Sequence, residues 1–172
     1  MKIVNLVNKG HSQIEYKTSK FPDGQQQVTI LGEKGGNFNL KTDSYDDIIV
    51  PIRELDTSIK VRIKSRLNDF KDLELIICTV ASLREIGYKS IELYVPYFLG
   101  SRSDRKFEEG SNNYLKTVIC PIINSLKLDK VIVLDPHSDV LEACLNNFNK
   151  QSNKGLVCYA LNITDLDPIK YG

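Results

Sequence analysis

The sequence predicts an α/β fold in which a mostly parallel sheet is flanked by helices and preceded by an N-terminal hairpin. From Asp47 onward, short apolar runs alternate with helical patterns, which is typical of βαβ units. Upstream of that point, two apolar runs flank a glycine-rich stretch and predict the hairpin. At 172 residues the chain suits one ordinary domain, or one domain and part of a second.

Short apolar runs bounded by turn residues indicate the strands. We expect strands, in chain order, at residues 3–7, 27–31, 37–40, 47–52, 60–65, 91–97, 130–134 and 155–161. The hairpin should turn through Gly32–Gly36, because no helix follows those glycines as a phosphate-binding loop would require. In the strand at 60–65, Arg62 and Lys64 alternate with apolar residues, which predicts that one face of this strand contacts solvent.

Apolar residues at three- and four-residue spacing indicate the helices. The clearest helix should begin at Asn68 or Asp69, whose side chains can accept hydrogen bonds from the first helical amides, and end at Gly87. Two shorter helices are expected at residues 111–126, capped by Ser111 and kinked at Pro121, and at residues 140–148.

Charge and cysteine usage exclude several classes of protein. Lys and Arg number 23 and Asp and Glu 22, and the resulting net charge of +1 argues against non-specific binding to nucleic acid or to a membrane. The four cysteines are far apart without a CxxC pair, which argues against a zinc site or a disulfide framework. No run approaches the roughly 18 apolar residues of a membrane span. We therefore expect a cytoplasmic protein with no nucleic-acid or membrane partner.

Polar side chains follow two of the predicted strands. The loop after residues 91–97 carries Arg102, Asp104, Arg105 and Lys106, and the loop after residues 130–134 carries Asp135, His137 and Asp139. The carboxyl ends of parallel strands meet at one edge of a sheet, where ligands bind. Arg and Lys pair with phosphate oxygens, while carboxylate, imidazole and water hold a divalent ion. The two loops thus predict a site for Mg²⁺ and a nucleotide.

Each of these side chains also has an ordinary explanation. A basic loop such as residues 102–106 is commonly a solvated surface. His137 is explained equally by capping or by a structural hydrogen bond, and Asp139 by the helix dipole alone. The nucleotide site therefore depends on further signals.

Four motifs together resemble the N-terminal half of a known family. They are FPDGQ at residues 21–25, NDFKDLELI at 68–76, VPYFLGSRSDRK at 95–106 and DKVIVLDPHS at 129–138. In this order and at this spacing they are similar to the ribose-phosphate diphosphokinase family, the phosphoribosyl diphosphate synthetases, over roughly residues 15–150.

The resemblance implies an activity and an assembly. It implies transfer of the diphosphoryl group of ATP to the 1-hydroxyl of ribose 5-phosphate, with Mg²⁺, on two phosphoribosyltransferase-like α/β domains. It also implies homodimers or hexamers in which neighbouring chains share active sites. Residues 1–150 would then be the ATP-binding domain, and residues 151–172 the start of a second domain or a tail.

The resemblance also implies roles for particular residues. Arg102 would contact phosphate and Ser103, Asp104, Arg105 and Lys106 would lie beside it in the ATP site. His137 would hold the metal–ATP complex with Asp135 beside it, so Arg102 and His137 are the expected catalytic residues. The FPDGQ loop would reach the adenine of a neighbouring chain through Phe21, Asp23 and Gln25, since an aromatic face can stack on a base and the two polar side chains can bond its amine.

Departures from the family pattern keep alternatives open. Ser103 and Gln25 stand where the family has Gln and Glu, and Pro136 and Val140 where it has Leu and Gln. The family's loops for ribose 5-phosphate have no counterpart in this sequence. The chain is therefore expected to be a fragment, or to take its acceptor site from elsewhere.

Three further readings stay open beside ribose-phosphate diphosphokinase. The first is the same transfer onto a larger ribose such as ADP-ribose. The second is a non-catalytic nucleotide-binding or regulatory partner of a synthetase. The third is an unrelated α/β domain, because fold alone does not determine function. On a smaller scale, Phe21 is expected either to stack on a nucleotide or to fold back as a core anchor.

Overall fold

The computed structural model describes residues 1–35, 38–39, 44–45, 49–134 and 136–146. Its strands are β1 (Lys2–Asn5), β2 (Ile14–Lys20), β3 (Gln26–Lys34), β4 (Phe38–Asn39), β5 (Ser44–Tyr45), β6 (Ile49–Pro51), β7 (Val61–Lys64), β8 (Ile91–Val95) and β9 (Lys130–Val133). Its helices are α1 (Phe70–Ile86), α2 (Cys120–Ser125) and α3 (Asp139–Cys144). The strand expected at residues 155–161 and the last two residues of the helix expected at 140–148 lie outside the described ranges. Within those ranges, no helix has the length and apolar character of a membrane span.

A four-stranded parallel sheet confirms the predicted fold class. Its strand order is β1-β7-β8-β9, and every neighbouring pair is parallel. Because the order advances in one direction and such crossovers are right-handed, α1 and α2 lie on the same face of the sheet. The strand residues of that face, such as Val61, Ile63 and Leu93, belong to the buried core. The carboxyl ends of the four strands form one edge of the sheet.

The opposite face of β7 is charged, but it is not open to solvent as the sequence predicts. Arg62 is only 7% exposed and Glu92, its register partner on β8, is 5% exposed. The guanidinium of Arg62 donates two hydrogen bonds to Glu92 Oε2, at 2.7 and 3.0 Å, and Lys60 Nζ donates to Oε1 at 2.9 Å. The expectation of a solvated face is wrong at Arg62, because a cross-strand carboxylate compensates for its desolvation.

The N-terminal hairpin exists, but it pairs different strands from those expected. β2 and β3 are antiparallel and turn through residues 21–25, while β6 pairs with β3 and β4 pairs with β5. The expected pairing of residues 27–31 with 37–40 is therefore wrong. Phe21-Pro22-Asp23-Gly24 makes the turn, with Gly24 N donating to Phe21 O at 2.9 Å and Gly24 at a φ of 95°. Pro and Gly occupy the second and fourth positions, which type I turns favour.

Gly32 lies inside β3 and not in a turn. Its register partner is Pro51 on β6, and a Cβ atom at Gly32 would lie 2.3 Å from the carbonyl oxygen of Val50. No side chain fits at that distance, so glycine is required for β6 to approach β3. The apolar run expected as a strand at residues 47–52 thus contributes β6 to the hairpin sheet.

α1 follows the prediction at both ends. Asp69 Oδ1 accepts hydrogen bonds from the amides of Lys71 and Asp72, both at 2.9 Å, as an N-cap does. Gly87 adopts a φ of 113° at the C-terminal end, and its amide donates to Arg84 O at 3.0 Å. Local capping signals therefore predict this helix correctly.

One side of α1 covers the edge of β3 that β2 leaves free. Glu74 accepts from the amide of Gln26 at 3.0 Å, and the side chains of Cys78 and Ser82 donate to the carbonyls of Gln26 and Val28, at 3.3 and 2.7 Å. These three positions recur every four residues and so lie on one face of the helix. They satisfy backbone groups of β3 that would otherwise present an open sheet edge.

The helix expected at residues 111–126 is shorter and differently built. A π-helical turn, Leu115–Ile119, precedes α2, and the amide of Cys120 donates to Leu115 O. Pro121 has no amide hydrogen, so the chain widens one turn before it. Ser111 is not the cap: its Oγ accepts from the amides of Phe107 and Glu108, at 3.2 and 3.1 Å. Asn113 caps instead, and its Oδ1 accepts from the amide of Lys116 at 2.9 Å.

Candidate functional site

Two loops lie side by side at the carboxyl edge of the parallel sheet. One follows β8 at Val95 and the other follows β9 at Val133, and these strands are neighbours in the sheet. Ser138 Oγ donates a hydrogen bond of 2.6 Å to Asp104 Oδ2 and joins the loops directly. The expectation that the two polar loops meet at this edge is confirmed.

The loop after β8 is held in a tight conformation around Arg102. Phe98 is fully buried, and its carbonyl accepts from the amide of Ser101 at 3.0 Å. The amide of Ser103 donates to Gly100 O at 2.8 Å. Gly100 has a φ of 79°, and a Cβ atom there would lie 2.9 Å from the ring of Tyr114. These contacts place Arg102 at an exposed crest between two anchored residues.

Ser101 directly precedes Arg102 and is fully buried. Its side chain is 0% exposed, and its Oγ has no hydrogen-bond partner among the described residues. A buried hydroxyl without a partner costs roughly 1–3 kcal/mol. Ser101 therefore reduces the stability of the loop in this conformation.

The three basic side chains of the loop are exposed, whereas Ser103 and Asp104 are half-buried. The Arg105 guanidinium lies 5.5 Å from the centre of the Phe107 ring, which is within the range of a cation–π contact. Exposed Arg and Lys side chains in this number attract anions, and the geometry of a guanidinium matches both phosphate and carboxylate.

Asp104 lies among those cations. The hydroxyl of Ser138 holds the pKa of the Asp104 carboxyl below its usual value, and the charges of Arg105 and His137 act in the same direction. An ionised carboxylate only accepts hydrogen bonds. Asp104 therefore stays an acceptor for Ser138 throughout the neutral pH range.

His137 occupies a strained position in the loop after β9. Its φ is 60°, and around it the amide of Ser138 donates to Pro136 O at 2.6 Å, closing a γ-turn. A non-glycine residue in this left-handed region costs about 1 kcal/mol or more and occurs preferentially at functional sites. The imidazole is exposed, and Asp139 begins α3 with its side chain also exposed. The expected metal ligand Asp135 lies outside the described residues.

The tip of the hairpin carries the remaining predicted residues. Phe21, Asp23 and Gln25 are all exposed in the turn between β2 and β3, and the Phe21 side chain is 44% exposed. Phe21 as a core anchor is therefore wrong. Gln26 bonds Lys71 and Glu74 near the start of α1, which itself follows the carboxyl end of β7. The hairpin tip thus lies at the same end of the molecule as the two loops.

The sequence did not indicate the residues that hold the site together. The sequence does not predict that Ser138, in the DPHS motif, donates a hydrogen bond to the other loop. Nor does it predict that Asn113 caps the helical segment that follows the basic loop. Asn113 Nδ2 also donates to Asp104 O at 2.6 Å. The only local signal was residue type, since Ser and Asn are common capping residues.

Several curated proteins similar to this chain share one name. The ribose-phosphate pyrophosphokinase of Thermococcus kodakarensis is 26% identical over 133 residues, which cover 77% of this chain and 39% of the relative. The enzyme of the same name from Pyrococcus furiosus is 30% identical over 119 residues, covering 69% of this chain and 34% of the relative. That from Sulfurisphaera tokodaii is 36% identical over 70 residues, covering 41% and 23%. The chain thus spans little more than a third of the relatives it matches most extensively.

A solved structure agrees with this result at the level of fold. The crystal structure of phosphoribosylpyrophosphate synthetase from Mycobacterium smegmatis superposes with a TM-score of 0.59, covering 92% of this chain and 51% of that one, at 11% sequence identity. No protein-family model matches the chain. The curated relatives support membership of the chain in the ribose-phosphate pyrophosphokinase family over part of their length, and the solved structure shows the same fold.

Proposed function

We propose that this chain is the ATP-binding part of a Mg²⁺-dependent ribose-phosphate diphosphokinase. The observation that carries the proposal is the pair of loops at the carboxyl edge. One loop bears three exposed basic side chains, the other bears His137, and the hydrogen bond between Asp104 and Ser138 joins them. The names of the relatives support the reaction class, and the acceptor part of the site would lie outside the described residues.

In this proposal the basic loop binds the phosphates of ATP. Arg102, at the crest of the loop, pairs with phosphate oxygens through its planar guanidinium, and Arg105 and Lys106 add positive charge on the same loop. Diphosphoryl transfer depends mainly on positioning and charge neutralisation. Arg102 would therefore act most strongly when negative charge builds on the departing AMP.

The donor set fits Mg²⁺ that is bound largely through the nucleotide. Among the described residues, no three His, Cys, Asp or Glu side chains come together as a metal cage. Mg²⁺ commonly keeps several waters and binds through substrate phosphates with one or two protein groups. His137 is the described residue that would hold it, and Asp135 its expected neighbour. When bound, the ion neutralises phosphate charge.

The reaction would follow the usual course of such transfers. The oxygen of the anomeric hydroxyl attacks the β-phosphorus of ATP, and the bond from that phosphorus to the α–β bridging oxygen breaks. AMP leaves with the bridging oxygen, and the hydroxyl proton passes to solvent. The products are AMP and a ribose carrying diphosphate at its anomeric carbon.

Phosphorus NMR of the chain with Mg²⁺, ATP and ribose 5-phosphate tests this function. We expect the ATP signals to shift and broaden on binding. Where the acceptor part of the site is supplied, they should be replaced by AMP and by a diphosphate ester, with no ADP. A parallel sample with ADP-ribose as acceptor tests the larger substrate. ATP binding without turnover in either sample would contradict a catalytic role for this chain alone and favour a nucleotide-binding partner of a synthetase.

A further inference from the structure

The hydrogen bond between Ser138 and Asp104 connects positions 34 residues apart in sequence. It is part-buried, and at 2.6 Å it has the length of a hydroxyl bound to an ionised carboxylate. Both residues are next to groups of the proposed site, since Ser138 follows His137 and Asp104 lies two residues after Arg102. This bond therefore fixes the distance between the two loops.

Ser138 makes this bond instead of the one its position favours. It is the N-cap residue of α3, where a serine side chain normally accepts a hydrogen bond from a helical amide. Its side chain makes no capping bond. Its hydroxyl instead donates to Asp104 in the neighbouring loop. The contact between the loops therefore replaces a capping bond that would stabilise α3.

Hydrogen bonds from the following helical segment hold the backbone around Asp104. Its carbonyl accepts from Asn113 Nδ2 at 2.6 Å, and the carbonyl of Ser103 accepts from the amide of Leu115 at 3.1 Å. Both donors belong to the start of the helical segment that leads into α2. The backbone that carries the carboxylate is thus fixed relative to the scaffold, independently of Ser138.

The hydrogen bond between Ser138 and Asp104 lies next to the strained backbone of His137. A histidine at a φ of 60° keeps that conformation only where its surroundings enforce it. The γ-turn at Pro136 and the bond from Ser138 to Asp104 hold the chain directly before and after the imidazole. Without the second contact, the loop has less to hold His137 opposite the basic residues.

We propose that Asp104 and Ser138 are a positioning pair that holds His137 opposite Arg102 and does not itself bind the nucleotide. The proposal rests on the proposed function of the two loops. It assigns Asp104 a role between the loops, in place of the nucleotide contact implied by the resemblance. It also makes Ser138 a residue on which function depends.

Four variants test the pair: Ser138→Ala, Asp104→Ala, the combination of the two, and Ser138→Thr, which keeps the hydroxyl. The first measurement is amide hydrogen exchange of residues 137–142 without nucleotide. Loss of a charge-assisted hydrogen bond should speed exchange roughly tenfold or more in each alanine variant. The double variant should be no faster than either single one, and Ser138→Thr should resemble the parent chain.

The second measurement is the affinity for Mg²⁺–ATP, taken with the melting temperature. Both single alanine variants should raise Kd by a similar factor, the double variant should add nothing further, and the melting temperature should change little. Asp104→Asn, which keeps an acceptor but loses the charge, should be milder than Asp104→Ala. Ser111→Ala is the matched control, because among the described residues that hydroxyl bonds only within residues 107–111 of the same loop.

The outcomes separate this proposal from the proposed function. If the parent chain binds no Mg²⁺–ATP, the proposed function fails, and the exchange data alone still decide whether the pair couples the loops. Unchanged exchange in Ser138→Ala would overturn the pair even if ATP binds. Additive effects of the two alanine substitutions on exchange or on Kd would overturn it as well.

Discussion

At the scale of single residues, Ser101 and Glu92 are both buried polar groups, but they differ in whether they have a hydrogen-bond partner. Ser101 Oγ is buried with no partner among the described residues, whereas Glu92 binds both Arg62 and Lys60. Removing the first should relieve a cost, and removing part of the second should create one.

Ser101→Ala should leave the free energy of unfolding unchanged or raise it by up to about 1 kcal/mol. The reason is that alanine removes a hydroxyl that loses its hydration on folding without gaining a hydrogen bond. Urea denaturation of the two chains measures the difference. Ser103→Ala, at a half-buried position of the same loop, is the control. A loss of more than about 1 kcal/mol in Ser101→Ala would mean that the hydroxyl has a partner.

Glu92→Gln should reduce the free energy of unfolding at neutral pH by about 3 kcal/mol, because it removes the buried negative charge that both Arg62 and Lys60 contact. Burial works to raise the pKa of Glu92, but its hydrogen bonds and charge interactions with Lys60 and Arg62 outweigh burial and lower it from 4.5. The unfolded chain therefore takes up the proton first as the pH falls. The stability that Glu92 contributes is present above about pH 4.5 and is lost as the pH falls through the folded value.

Denaturation of both chains between pH 3 and pH 7 tests this sign. The difference between parent and Glu92→Gln should be largest at neutral pH and should shrink below about pH 4.5. Glu54→Gln is the matched control, because Glu54 pairs with Arg53 at an exposed surface. A difference that grows toward low pH would contradict the assignment.

At the scale of secondary-structure elements, α1 holds the hairpin through its face of Glu74, Cys78 and Ser82. Hydrogen bonding from Gln26 lowers the pKa of Glu74, so this carboxylate is an ionised acceptor at neutral pH. Glu74→Ala should speed exchange of the Gln26 amide roughly tenfold, since the amide loses the carboxylate oxygen to which it donates. Glu85→Ala, at an exposed position of the same helix, should leave it unchanged. Equal effects in both variants would mean that helix propensity, and not this contact, explains the result.

The elements differ in how well the sequence predicts them, and the physical reason is the range of the interactions. α1 is correct at both ends because Asp69 and Gly87 act on their own neighbours. β2, with the sequence IEYKTSK, was missed because four of its seven residues are exposed and polar, so its apolar signal is weak. The turn signal at Asp23-Gly24 was visible, but without β2 the hairpin was assigned to the wrong strands.

The site shows the same limit. Residue types and the position of the two loops after adjacent strands predicted that Arg102 and His137 would share one edge of the sheet. The bonds that fix the loops join residues far apart in sequence, as Ser138 and Asp104 do, and no local pattern specifies them. The burial of Arg62 was missed for the same reason, because Glu92 lies on another strand.

At the scale of the whole molecule, the exposed hairpin tip suggests an assembly with shared sites. Phe21 is 44% exposed at the end of the molecule that carries the two loops. We propose that it stacks on adenine bound by a second copy of the chain, in a homodimer or a larger homo-oligomer.

Mixing two inactive variants, Phe21→Ala and Arg102→Ala, tests shared sites. Mixed dimers would contain sites with both wild-type residues, so part of the ATP binding should return when subunits exchange. A chain carrying both substitutions, mixed with Phe21→Ala, is the control and should show no recovery. No recovery under conditions of demonstrated exchange would place Phe21 outside the site.

The central claim is that the loop after β8 binds Mg²⁺–ATP through Arg102, and calorimetric titration of Mg²⁺–ATP tests it most directly. The parent chain should bind, and Arg102→Ala should raise Kd roughly 10- to 100-fold, the range of a lost charge-assisted hydrogen bond. Arg53→Ala removes another exposed guanidinium, outside the two loops, and should leave Kd unchanged. Equal affinity in the parent chain and in Arg102→Ala, or an equal loss in Arg53→Ala, would contradict the claim.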